Sequence, residues 1–151
     1  MTQAETQTVS RHLVANYKKE AELYASVLKL TQLQQANLSQ SQEIRDFITL
    51  LHQKEDLIRS IDKVEIQLDA DKAKWLAIPE KLRTGTDADL NGLLDDIILL
   101  IEKIMEIEQQ NERLLRARKE DVERELEAVR KGRRAAKDKP KSDAKLISAV
   151  S

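Results

Sequence analysis

Apolar residues recur three and four positions apart over most of the chain. One series runs Ile44, Phe47, Leu51, Ile58, Ile61, Leu68 and Trp75; a second runs Leu90, Leu94, Ile97, Ile101, Ile104, Leu115, Val122 and Val129. Such a grid keeps one seam of a helix dry along its length. Between the two series lie Pro79 and Gly85. Pro79 stops the preceding helix, because the residue before a proline avoids the α region. Gly85 supplies a flexible point, and Thr86-x-x-Asp89 has the spacing of a helix cap. Two seams joined by a short breaker loop predict an antiparallel hairpin, with helices over about 40–76 and 87–131.

An earlier helix is expected from Ser10 to Asn37. Its apolar face is Leu13, Tyr17, Ala21, Tyr24, Leu28 and Thr31, widened by Val14, Val27 and Leu30. Asn37-Leu38-Ser39-Gln40-Ser41 reads as the joint to the next helix, with Ser39 and Gln42 at capping-box spacing. A single rod running through the joint is the competing arrangement. The last helix carries a second row, Leu93, Leu100, Ile107 and Leu114, beside its main seam. Two rows require cover on two sides, so all three helices must pack together. The fold class is therefore all-α, an elongated antiparallel hairpin or three-helix bundle with coiled-coil-like packing.

Polar residues punctuate the seams: Lys54, Glu65 and Lys72 in the second helix, and Glu108, Asn111, Arg118 and Glu125 in the third. Beyond Glu108 the apolar content thins to Leu114, Leu115, Val122, Leu126 and Val129. Glu112/Arg116, Glu120/Arg124 and Glu127/Lys131 are i,i+4 pairs in the favourable order, each contributing a few tenths of a kcal/mol to helicity. Gly132 follows Arg130 and Lys131 where a C-terminal cap is expected. The organisation predicted is a flexible segment 1–9, a helical domain 10–132 and a disordered tail 133–151.

Composition agrees: of 151 residues 35% are charged and 3% aromatic, with three glycines and two prolines, as in long helices packed through a thin aliphatic seam. The absence of cysteine excludes disulfides and thiolate metal sites. Residues 1–10 lack the apolar stretch of a signal peptide, and no apolar run approaches the roughly 20 residues of a membrane span. A cytoplasmic protein without membrane insertion is expected. The net charge of −1 divides unevenly, since residues 132–151 carry six Lys or Arg against two Asp. That tail lacks aromatic residues to stack on bases, so it is read as solvated, and no nucleic-acid partner is expected.

Nothing in the pattern encodes catalysis. His12 and His52 have no helical metal-ligand partner, three scattered glycines make no phosphate loop, and Asp95-Asp96 and Glu102/Glu106/Glu108 suit a solvated face. Trp75 is placed to plug the hairpin tip. No enzyme activity, cofactor or metal is expected.

Lys54-Glu55-x-Leu57-Ile58-x-x-Ile61 and Ile101-x-x-Ile104-x-x-Ile107-Glu108-x-x-Asn111-x-x-Leu114-Leu115 resemble the flagellar export chaperones of the FlgN type. Val122-x-x-x-Leu126-x-x-Val129-x-x-Gly132-Arg133 is similar to the ending of that family, and the likeness extends over roughly residues 10–135. The resemblance implies a non-enzymatic protein that binds hook–filament junction proteins in the cytosol and delivers them to the flagellar type III export apparatus. It also implies that a client's helical segment packs on the C-terminal helix region, here Leu114, Leu115, Val122, Leu126 and Val129. The same stretch is the thinly covered amphipathic half of the third helix, the surface a helix-in-groove contact uses. Family members often carry a tyrosine in the tail that contacts the export gate. No Tyr follows Tyr24 here, so the resemblance does not extend to that route. The alternative reading is a structural coiled-coil scaffold, whose same residues would join two copies as a homodimer.

Overall fold

The computed structural model describes residues 2–137, which form three helices and no strand: α1 (Gln3–Ser39), α2 (Ile44–Leu76) and α3 (Glu80–Lys137). The chain divides into two compact units, Met1–Asn111 and Glu112–Ser151. The first holds α1, α2 and the beginning of α3. In the second, the described residues are the remainder of α3 alone.

Polar contacts fix the order of the helices in the first unit. Between α1 and α2 the paired residues converge in sequence. Asn16 Nδ2 donates to Asp71 at 2.8 Å, the Tyr24 hydroxyl to Glu65 at 3.5 Å, and Lys54 Nζ to Gln34 at 2.8 Å. These two helices are antiparallel. Between α1 and α3 the separation stays nearly constant: 76 positions for Ser10 and Thr86, 77 for Thr31 and Glu108, 75 for Gln35 and Gln110. Those two run parallel. Lys54 also pairs with Glu108, and Trp75 Nε1 donates to Asp87 at 2.7 Å, so α2 and α3 form the expected antiparallel hairpin. Leu13 and Tyr17 from α1, Val64, Leu68 and Trp75 from α2, Ile78 from the connection, and Leu90 and Ile97 from α3 make one buried cluster. Leu93 and Leu94 pack against it from neighbouring rows of α3, as a helix covered on two sides requires.

The ends of the helices depart from expectation for identifiable reasons. α1 begins at Gln3, seven positions before the expected Ser10. Thr2 and Glu5 form a capping box there, each side chain meeting the other's backbone N–H. The joint between α1 and α2 is real, so the single-rod arrangement is excluded, but Ser39 is the last residue of α1 and caps nothing. Ser41 takes a left-handed conformation, φ 52°; its N–H donates to Leu38 O and that of Gln42 to Asn37 O. This is the Schellman arrangement, with serine where glycine is usual. Asn37 Nδ2 then donates to Glu43 O across the joint at 3.2 Å.

Pro79 ends α2 and stands immediately before α3, where its missing N–H costs nothing. Gly85 was expected in a loop; it lies inside α3, which starts seven positions before the predicted Asp87. Asp87, expected to start a capped helix, accepts from Trp75 instead. Gly132 was expected as a cap and is also interior, with helix continuing to Lys137, so residues 133–137 of the predicted disordered tail are helical. The remainder of that predicted tail, 138–151, lies outside the described residues.

The buried set of α1 includes Glu20, which the apolar pattern omitted. Burial, and then the Glu65 carboxylate, raise the Glu20 carboxyl above its ordinary value of 4.5, while Lys72 acts in the opposite sense. Burial, Glu65 and Glu20 likewise raise the Tyr24 hydroxyl. Lys72 sits 5.6 Å from the centre of the Tyr17 ring, a cation–π distance.

Two outcomes follow from these positions. A Cβ at Gly85 would meet no neighbouring atom, and glycine relieves the left-handed strain at Ser41, so Gly85→Ala and Ser41→Gly should each raise unfolding stability by about 0.5–1 kcal/mol in denaturant titrations. The folded chain holds the Glu20 proton more tightly than the unfolded chain does. Glu20 therefore favours folding below about pH 4.5, and that contribution is lost as pH rises through the raised folded value. Glu20→Gln should accordingly raise the unfolding midpoint at neutral pH, with the gain vanishing below about pH 4.5; an equal gain at both pH values would refute this account.

Candidate functional site

The residues expected to hold a partner all fall on α3. Leu114 belongs to the second row and is half-buried, as is Val129, while Leu115, Val122 and Leu126 are 38%, 47% and 50% exposed. At 100° per residue, Leu115, Val122, Leu126 and Val129 lie within a narrow arc of one another, and Leu114 lies beside it. They form a continuous aliphatic stripe in the second unit. Exposed aliphatic side chains spaced along one helical face in this way provide a surface for another apolar helix.

Charged side chains support the helix that carries the stripe. Arg116 pairs with Glu112 at 2.6 Å, Lys119 with Glu123 at 4.0 Å, Arg130 with Glu127 at 3.8 Å, and Arg124 with Asp121. Of the three expected i,i+4 pairs only Glu112/Arg116 forms. Arg124 turns to Asp121 and Glu127 takes Arg130, each one position nearer. All are largely exposed, so each is worth a few tenths of a kcal/mol, serving helicity rather than tertiary structure. Arg118 differs. Its Nη1 is out of solvent and has no hydrogen-bond partner among the described residues.

A second exposed stripe was not foreseen. Ile44, Ile48, Leu51 and Ile58 on α2 are all exposed, although Ile44, Leu51 and Ile58 had been placed on the dry seam. The buried row of α2 is Lys54, Ile61, Leu68 and Trp75, each seven apart, and the dry face is widened by Val64 and Asp71, three positions beyond Ile61 and Leu68. Leu51 and Ile58, three positions before Lys54 and Ile61, lie on its other, wet side, as does Ile44, seven before Leu51. A groove between α1 and α2, lined by Leu30, Leu33 and Leu57 with Lys29, Gln53 and Asp56, has a volume of about 540 Å³.

Among the described residues no group of three His, Cys, Asp or Glu is arranged to hold a metal ion. No described helix is long and apolar enough to cross a membrane.

Three long helices, one of them carrying an exposed aliphatic row, make an all-α protein. The sequence matches the FlgN protein family over residues 9–138, and the chain belongs to that family. FlgN proteins are flagellar export chaperones, not enzymes, and act in flagellar assembly. The comparison with curated proteins and that with solved structures each gave no match.

Proposed function

We propose that this protein is a cytosolic chaperone that captures hook–filament junction proteins and delivers them to the flagellar type III export apparatus. A helical segment of the client lies along Leu114, Leu115, Val122, Leu126 and Val129. The observation that carries this reading is the exposure of Leu115, Val122 and Leu126 on a stretch of α3 that is the only described element of its unit. Membership of the FlgN family supports a flagellar export client. The mechanism is stoichiometric cover: an aggregation-prone amphipathic segment is kept from water and released by transfer, with no covalent step.

The seven-residue spacing of Leu115, Val122 and Val129 also suits a coiled coil between two copies. Arg118 and Glu125 occupy the alternating positions of that seam and weaken it.

Co-expression with the hook–filament junction proteins of the same genome, followed by size exclusion with mass detection, separates the two readings. The chaperone reading expects a discrete complex with one of them. Alanine at Leu115, Val122 and Leu126 should abolish capture while changing stability by no more than about 1.5 kcal/mol, since all three side chains are exposed. Wild-type capture by the triple variant would reject the surface, and a homodimer indifferent to those proteins would favour the scaffold.

A further inference from the structure

The charges beside the stripe are ordered in blocks. After the Glu112–Arg116 pair come Arg118 and Lys119, then Glu123 and Glu125, then Arg130, Arg133 and Arg134. On a helical projection Arg118 and Lys119 lie on opposite sides of the Leu115–Val129 line, and Glu123 and Glu125 do the same one to two turns later. The block centres are about 10 Å apart at 1.5 Å per residue. A helix seated on the aliphatic line therefore has a positive, a negative and a positive collar beside it in turn. A carboxylate is the acceptor that best meets a guanidinium or ammonium group, so each basic collar favours an acidic flank on the seated helix.

We propose that the segment seated on this stripe is an amphipathic helix whose flanks read acidic, basic, acidic. The proposal rests on the chaperone reading of the same surface and specifies the chemistry of the client. Because the order acidic–basic–acidic is the same from either end, the match holds for both directions of the client helix. A second copy of this chain fits less well. Parallel and in register, each block meets its own sign. Antiparallel about Val122, Lys119 meets Glu125 but Arg118 falls opposite the aliphatic Leu126.

Two designed helical peptides with the same aliphatic stripe, long enough to span Arg116 to Arg134, test this on the full chain by fluorescence anisotropy. One carries flanks in the order acidic–basic–acidic, the other basic–acidic–basic. The first should bind about tenfold more tightly at about 0.1 M salt, because three collars change from attraction to repulsion between the two peptides. The ratio should fall toward one at about 1 M salt, where the Debye length shrinks to ~3 Å. Arg118→Glu should weaken the first peptide, and a lysine in place of its facing carboxylate should restore binding to that variant. Circular dichroism of Arg118→Glu, matched to wild type, keeps a folding defect from imitating the result. If both peptides bind equally and alanine at Leu115, Val122 and Leu126 weakens both, the charge order is refuted while the chaperone surface stands. If neither binds, the inference and that surface both fall. A dimer that excludes both peptides, and that Arg118→Glu does not loosen, would assign the stripe to self-association and overturn the inference.

Discussion

One ammonium group sets the register of the first unit. Lys54 is buried, and its Nζ donates to Gln34 of α1 and to Glu108 of α3, so three helices meet at a single charge. Thr31 reinforces the layer by donating to its own Val27 carbonyl at 2.8 Å, and its carbonyl accepts from Asn111 Nδ2 at 3.2 Å. A purely aliphatic 3-4 seam accepts a slide of one heptad with little loss, because leucine replaces leucine. A slide here would strand a buried ammonium without its acceptors. Buried ion pairs add little net stability over apolar packing, but breaking one is expensive, and that asymmetry selects one alignment over its neighbours.

The first unit thus divides its labour along its length. The end that contains Trp75 and Ile78 holds most of the aliphatic core, with Leu13 and Leu68 almost wholly excluded from solvent, and buries Asp71 beside Asn16. Trp75 both fills that end and anchors it, since its ring nitrogen reaches Asp87 across the hairpin. The end that contains Asn37, Lys54 and Asn111 is polar and is held by directional bonds. Aliphatic burial is concentrated at one end, while hydrogen bonds set alignment at both, most densely around Lys54. The second unit has neither device in its described part. Its described part relies on helix propensity and exposed ion pairs, with Leu115, Val122 and Leu126 left exposed.

Much of this was legible in the residues. The three helices, the hairpin closed at Pro79, the double row on α3 and the thinning of apolar content beyond Glu108 all followed from spacing, and the family likeness from the strings around Lys54 and Asn111. What spacing could not supply was the phase of a long helix. On α2 the row through Lys54, Ile61, Leu68 and Trp75 is inward, but spacing alone does not say on which side of that row the dry face widens; it widens toward Val64 and Asp71, leaving Ile44, Leu51 and Ile58 wet. Helix ends were misjudged where a residue did unusual duty: Ser41 adopts the conformation expected of glycine, while Gly85 and Gly132 sit within a helix that tolerates them. Buried Glu20, Gln34 and Asn37 were invisible to a reading that sorted residues by polarity, because their burial depends on partners brought from other helices.

The parallel alignment of α1 with α3 bears on how the chain is made. Its bonded partners stand 75 to 80 positions apart, whereas α1 meets α2, and α2 meets α3, across turns of a few residues. During synthesis α1 and α2 can close on each other early, at small entropic cost. Their shared aliphatic face stays open until Leu90 and Ile97 arrive, and Lys54 lacks its carboxylate until Glu108 does. A nascent chain that ends before Leu90 is therefore an α1–α2 hairpin with an open aliphatic face and a lysine still without its carboxylate.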